Sequence, residues 1–255
     1  MTHTRGAVAL LFLSTSLLAP LSAHCRLDSP NGGEVLRAGT THRITWTELV
    51  PHGVRNWDLY YSLNGDRGPW LPLALDLPPT ARSYDWRVDV AASVPHRQVR
   101  VRVVQDMLSY NYEDASDADL TVLPSLSTSV DEFSLRTGGT QDMAVDAGSA
   151  HGNLPYLIVG SASGTSPGLT IGGVPVPLNA DQYFHTSIAT AGIGPFHNTL
   201  GTLDRSGRAA AELRLPPGLP PSLVGLTLHH VVLVPDARWR QLQLVGNTIA
   251  LRLLP

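Results

Sequence analysis

The sequence predicts an all-β fold, two β-sandwich domains behind a signal peptide. Three observations predict it. Short runs rich in Val, Thr, Tyr and Trp recur at close spacing, bounded by Gly, Pro, Asn and Asp. After the first twenty-three residues no segment carries the apolar periodicity of an amphipathic helix. With one cysteine the chain cannot form an internal disulfide, so burial alone must stabilise it, and 43% apolar against 15% charged residues can supply that.

The opening residues read as an export signal. One positive charge at Arg5 precedes the apolar run from Ala7 to Ala19, and the small residues Ser22 and Ala23 suit cleavage between Ala23 and His24. The apolar run is well short of the roughly 20 residues that span a bilayer. The mature protein is therefore expected outside the cytoplasm, secreted, periplasmic or at the cell surface, without a membrane span. Lipidation at Cys25 would need a small residue before the cysteine, and that position holds His24.

In residues 24–123 the expected strands are Thr41–Thr47, Asn56–Ser62, Trp70–Leu75, Ser83–Val88, Gln98–Val104 and Ala118–Val122. Alternation is cleanest at Val99, Val101 and Val103, with Arg100 and Arg102 pointing the other way. That strand should be central, with one buried and one wet face. The pair Asn64-Gly65 tolerates positive φ and suits a hairpin reversal. Trp46 and Trp57 are the natural core pair between facing sheets.

The boundary between domains is expected in the short polar stretch Leu123–Ser129, which leaves residues 124–255 to a second sandwich. Its expected strands are Glu132–Arg136, Gln141–Val145, Tyr156–Gly160, a segment near Tyr183, Gly207–Leu215, Thr227–Val234 and Thr248–Leu254.

The stretch Leu27–Trp46 contains the string Ser29-Pro-Asn-Gly-Gly-Glu34 and ends in a tryptophan on the next strand. It resembles the opening of the fibronectin-like domain of the yeast cell-wall glucan-synthesis family, which implies an immunoglobulin- or fibronectin III-like fold for the first domain. With His24 at the cleavage point the domain also resembles bacterial polysaccharide-monooxygenase-like proteins. The C-terminal half, with its Pro-Pro-Gly-Leu-Pro-Pro stretch ending at Pro221, resembles an accessory β domain of bacterial secreted proteins.

An amino-terminal histidine offers two nitrogens, its α-amine and ring Nδ1, and a second imidazole completes the planar three-nitrogen set that copper(II) prefers. Lytic polysaccharide monooxygenases hold copper in such a histidine brace, so the second resemblance implies one copper ion and a polysaccharide or cell-surface glycan as partner. In a fibronectin-like sandwich the first strand's start, the second-to-third strand loop and the last hairpin loop share one pole. Here these are His24, the loop 48–55 carrying His52, and the loop 106–116. His24 and His52 are the candidate metal ligands, with Asp106, Tyr110, Tyr112, Glu113 and Asp114 as candidate axial or supporting groups.

Plainer assignments stand beside these. His52 sits in a Pro-His-Gly loop of the kind solvent usually covers, and Cys25 reads as a small buried hydrophobe on the first strand. His229 and His230 are strand neighbours that face opposite ways, which disfavours joint chelation. The acidic run Glu113–Asp119 lacks the glycine and spacing of a calcium loop and reads as solvated. A net charge of −3 with no basic patch argues against nucleic acid. The alternative to a copper protein is a non-catalytic extracellular protein that binds glycan or protein.

Overall fold

The computed structural model describes residues 24–51, 53–90 and 94–255. The export signal read at 1–23 and the candidate ligand His52 lie outside the described residues. The fold is all-β.

The first sandwich contains β1 (Cys25–Ser29), β2 (Val35–Arg37), β3 (Thr41–Glu48), β4 (Asn56–Ser62), β5 (Leu71–Leu77), β6 (Ser83–Arg87), β7 (His96–Asp106), β8 (Tyr112–Ala115) and β9 (Leu120–Leu123). One sheet runs β1-β3-β6 and the other β2-β9-β7-β4-β5, with β8 added alongside β7. Between them Val99, Val101 and Val103 of β7 are fully buried, so period-two alternation aims this strand at the core. The tryptophans expected to pair do so. Trp46 on β3 and Trp57 on β4 meet across the two sheets with ring centroids 5.8 Å apart, both buried.

The other face of β7 is drier than expected. The Arg102 guanidinium lies over the rings of Trp70, 4.4 Å from its centroid, and Tyr60, at 5.2 Å, and Arg100 pairs with Asp119 at 2.5 Å. Long cationic stems cover apolar surface while their heads find partners, so alternation locates the core without showing that the far face is bare.

The second sandwich contains β10 (Leu126–Thr128), β11 (Glu132–Ser134), β12 (Gly139–Asp146), β13 (Pro155–Ser161), β14 (Leu169–Ile171), β15 (Val174–Val176), α1 (Gln182–Ala189), β16 (Phe196–His197), β17 (Leu200–Thr202), β18 (Arg208–Leu215), β19 (Thr227–Pro235) and β20 (Leu242–Leu254). The sheets β10-β12-β18-β16 and β11-β20-β19-β13-β17 enclose a core that includes Met143, Ile158, Leu213, Val232 and Leu251. The hairpin β14-β15 and the helix α1 lie over a smaller cluster around Val159, Leu178 and Phe184.

One expectation fails here. The segment near Tyr183 is a helix, because the Asp181 side chain accepts the Phe184 backbone N–H at 2.8 Å and caps it. Within the polar stretch 123–129, Leu126–Thr128 is a strand of the second sandwich, and Ser125 and Leu126 are fully buried.

Candidate functional site

His24 immediately precedes β1, and the antiparallel register of β1 with β3 sets Cys25 opposite Glu48. The backbone N–H groups of Leu49 and Val50 donate to the His24 carbonyl at 2.9 and 3.3 Å. The loop that follows β3 therefore departs against His24. From the other side, β8 brings Tyr112, whose ring stacks on the His24 imidazole with centroids 3.7 Å apart and planes 14° from parallel. Tyr110 meets Tyr112 edge to face at 5.2 Å.

The acidic candidates have other partners. Asp114 accepts the Leu27 backbone N–H at 2.7 Å, which ties β8 to β1. Glu113 pairs with Arg102 at 3.2 Å, on the sheet face of the Trp70–Arg102–Tyr60 stack. Asp106 lies opposite Asn56 in the β4–β7 ladder, and its carboxylate is 3.9 Å from the Arg55 guanidinium. Among the described residues no group of three or more His, Cys, Asp or Glu side chains is assembled to hold a metal ion.

Cys25 is fully buried on β1. Burial, and then the nearby Asp114 charge, push its thiol up to about 12, so it stays protonated at ordinary pH. The run 113–119 is held in structure rather than loosely solvated: besides Asp114 and Glu113, Asp117 accepts from Asn31 Nδ2 at 2.7 Å and Asp119 from Arg100.

The two adjacent histidines of β19 differ in environment. His230 is buried, its Nε2 lies 2.9 Å from the Tyr183 hydroxyl, and burial pushes its pKa down to about 4, so the ring is neutral. His229 is half-buried.

Sequence reasoning named Tyr110 as a candidate supporting group but passed over Leu49 and Leu108, exposed apolar side chains on the same two loops. Leu108 is 89% exposed, Tyr110 54% and Leu49 43%, large apolar groups on the two loops that follow β3 and β7. The available signal was Met107, Leu108 and Tyr110, three large, largely apolar side chains where a hairpin loop is ordinarily polar.

The site and the fold define an all-β sandwich protein with an aromatic, histidine-bearing pole. The sequence matches no family model and no curated protein. Among solved structures the chain is similar to the fibronectin(III)-like modules of CbhA from Clostridium thermocellum, at 12% identity over 90% of this chain and 94% of that one, with a TM-score of 0.26. It is likewise similar to the chicken interferon gamma receptor alpha chain (9% identity, 84% and 92% coverage, TM-score 0.27) and to the teleost fish polymeric Ig receptor ectodomain (11%, 91% and 98%, TM-score 0.24). At these scores no ligand or partner is carried over. Among the described residues no helix is long and apolar enough to cross a membrane.

Proposed function

We propose that the chain is an exported, non-catalytic β-sandwich protein that binds an extracellular glycan through the pole at His24. The observation that carries this is the exposure of Leu49, Leu108 and Tyr110 on the two loops beside the stacked His24–Tyr112 pair. Tyrosine and aliphatic groups suit the apolar faces of sugar rings, since an aromatic ring covers area at small entropic cost. The carboxylates that acid–base chemistry at this pole would call on are engaged with Leu27, Arg102 and Arg55.

The test is depletion of the mature protein by insoluble cellulose, chitin and mixed β-glucan. At least one should retain it, and Tyr110→Ala should weaken retention about fivefold, the loss of one aromatic contact. Retention by none, or equal retention of the variant, removes this reading.

One observation favours a copper-binding pole as a second reading: Leu49 and Val50, bonded to the His24 carbonyl, lie three and two residues from His52. The donor set fits in its chemistry. After cleavage at Ala23–His24 the chain offers the His24 amine and imidazole, with His52 as the third nitrogen, while Asp114 and Glu113 have partners of their own and do not suit an axial role. Bound copper would supply one-electron redox chemistry. Calorimetry with copper(II) should find one ion per mature chain, and sharply weaker uptake by His52→Ala and by protein carrying one extra residue before His24. Equal binding by the His52 variant eliminates the brace.

A further inference from the structure

The turn between β19 and β20 is wound around one carboxylate. The backbone N–H groups of Arg238 and Arg240 both donate to Asp236 Oδ1 at 2.9 Å. Trp239 N–H donates to the Asp236 carbonyl at 3.0 Å, and Asp236 N–H donates to the Gln241 carbonyl at 2.8 Å. Together these bonds hold Trp239 at φ 59°, the left-handed region that bulky side chains avoid. A turn that only reverses the chain is ordinarily given a glycine or asparagine at such a position.

The conformation has a consequence for the surface. The Trp239 indole is 53% exposed and lines a cavity of about 250 Å³ with Val159, Phe184, Ile188, Leu242 and Arg240. Val159 is fully buried and Ile188 is 42% exposed, so the cavity has an apolar floor and an apolar rim under α1. The Arg240 guanidinium stands at the edge of this hollow, and the Asp236 carboxylate, which feels its charge, gives Oδ1 to the backbone N–H groups of Arg238 and Arg240. Strained backbone that presents an aromatic ring over an apolar hollow, with a cation at the edge, has the composition of a ligand site. The volume lies below that of pockets for drug-sized molecules and suits one ring system or a short alkyl chain.

We propose that this pocket binds a small amphiphilic anion, its aryl or alkyl part against Trp239 and its carboxylate or sulfonate at Arg240. The site lies on the second sandwich and is independent of the His24 pole, so the two readings stand or fall separately. The probe is 8-anilinonaphthalene-1-sulfonate, titrated into the mature chain at low salt and followed by its emission, with sodium octanoate as competitor.

Saturable binding of one probe per chain is expected, displaced by octanoate and about tenfold weaker in both Trp239→Ala and Arg240→Glu. Leu108→Ala, which removes an exposed apolar group elsewhere, should bind like the parent. Trp239→Gly should lose the probe and raise the thermal midpoint, because glycine adopts this φ without strain. Non-saturating emission, or parental affinity in both pocket variants, overturns the site. A lowered midpoint in the glycine variant overturns the argument that the fold bears strain to display the indole.

Discussion

Asn247→Ala is expected to lower stability by about 3–5 kcal/mol, because three buried backbone groups lose their partner at once. The Asn247 side chain lies on β20 and reaches the start of the second sandwich. Its Oδ1 accepts from Ser125 N–H at 2.8 Å, Leu126 N–H at 3.0 Å and the Ser125 hydroxyl at 3.2 Å. Its Nδ2 donates to the Leu126 carbonyl at 2.7 Å. Ser125 and Leu126 are fully buried, so no bulk water replaces these bonds in the truncated variant. Urea unfolding followed by tryptophan fluorescence measures the loss. Asn247→Asp keeps the acceptor, deletes the donor and buries a charge, so it should do no better than alanine at neutral pH. A cost below about 1 kcal/mol would mean that water or a backbone shift satisfies the segment.

Asp181→Ala is expected to cost about 2–3 kcal/mol at neutral pH, through one helix cap and a cluster of charge-assisted bonds. Asp181 Oδ1 accepts the Phe184 N–H that starts α1. Its Oδ2 gathers the Ser161 hydroxyl, the Ala162 N–H, and the Ser163 N–H and hydroxyl, at 2.7 to 2.8 Å. Burial acts to raise the Asp181 pKa, but the donors from Phe184, Ser163 and Ser161 together outweigh it and hold the carboxyl well below the usual carboxylate range.

The sign of the pH dependence follows. A depressed folded pKa stabilises fully above the unfolded value of 3.8, and that contribution is lost as pH falls below it toward the folded pKa. The stability difference between parent and Asp181→Ala should be constant from pH 6 to 8 and shrink below about pH 4. A difference that stays constant into acid would show that the carboxylate's charge is not what organises the 161–163 turn.

These two residues also mark where sequence reasoning stops. The alternation of Val99, Val101 and Val103 is a property of seven consecutive positions, and the pairing of Trp46 with Trp57 follows once their strands face one another. The helix Gln182–Ala189 carries Tyr, Phe, Thr and Ile, types that also favour strands, and eight residues are too few for helical periodicity to declare itself. What makes it helical is Asp181, whose other partners come from the end of β13 and the residues after it, about twenty positions earlier. The strand at Leu126 depends in the same way on Asn247, 121 positions away.

At the His24 pole, chain order suggested which segments gather, but the stacking of His24 on Tyr112 and the capture of Asp114 by Leu27 N–H depend on how β8 adds to β7. The β architecture, the core-facing side of its most regular strand and the tryptophan pair are legible in the chain alone, because two-residue alternation is written locally. The helix at Gln182–Ala189, the partners of the pole's acidic residues and the display of Trp239 over a pocket come instead from long-range contacts. Each of those depends on groups far apart in the chain that meet only after the sheets have closed.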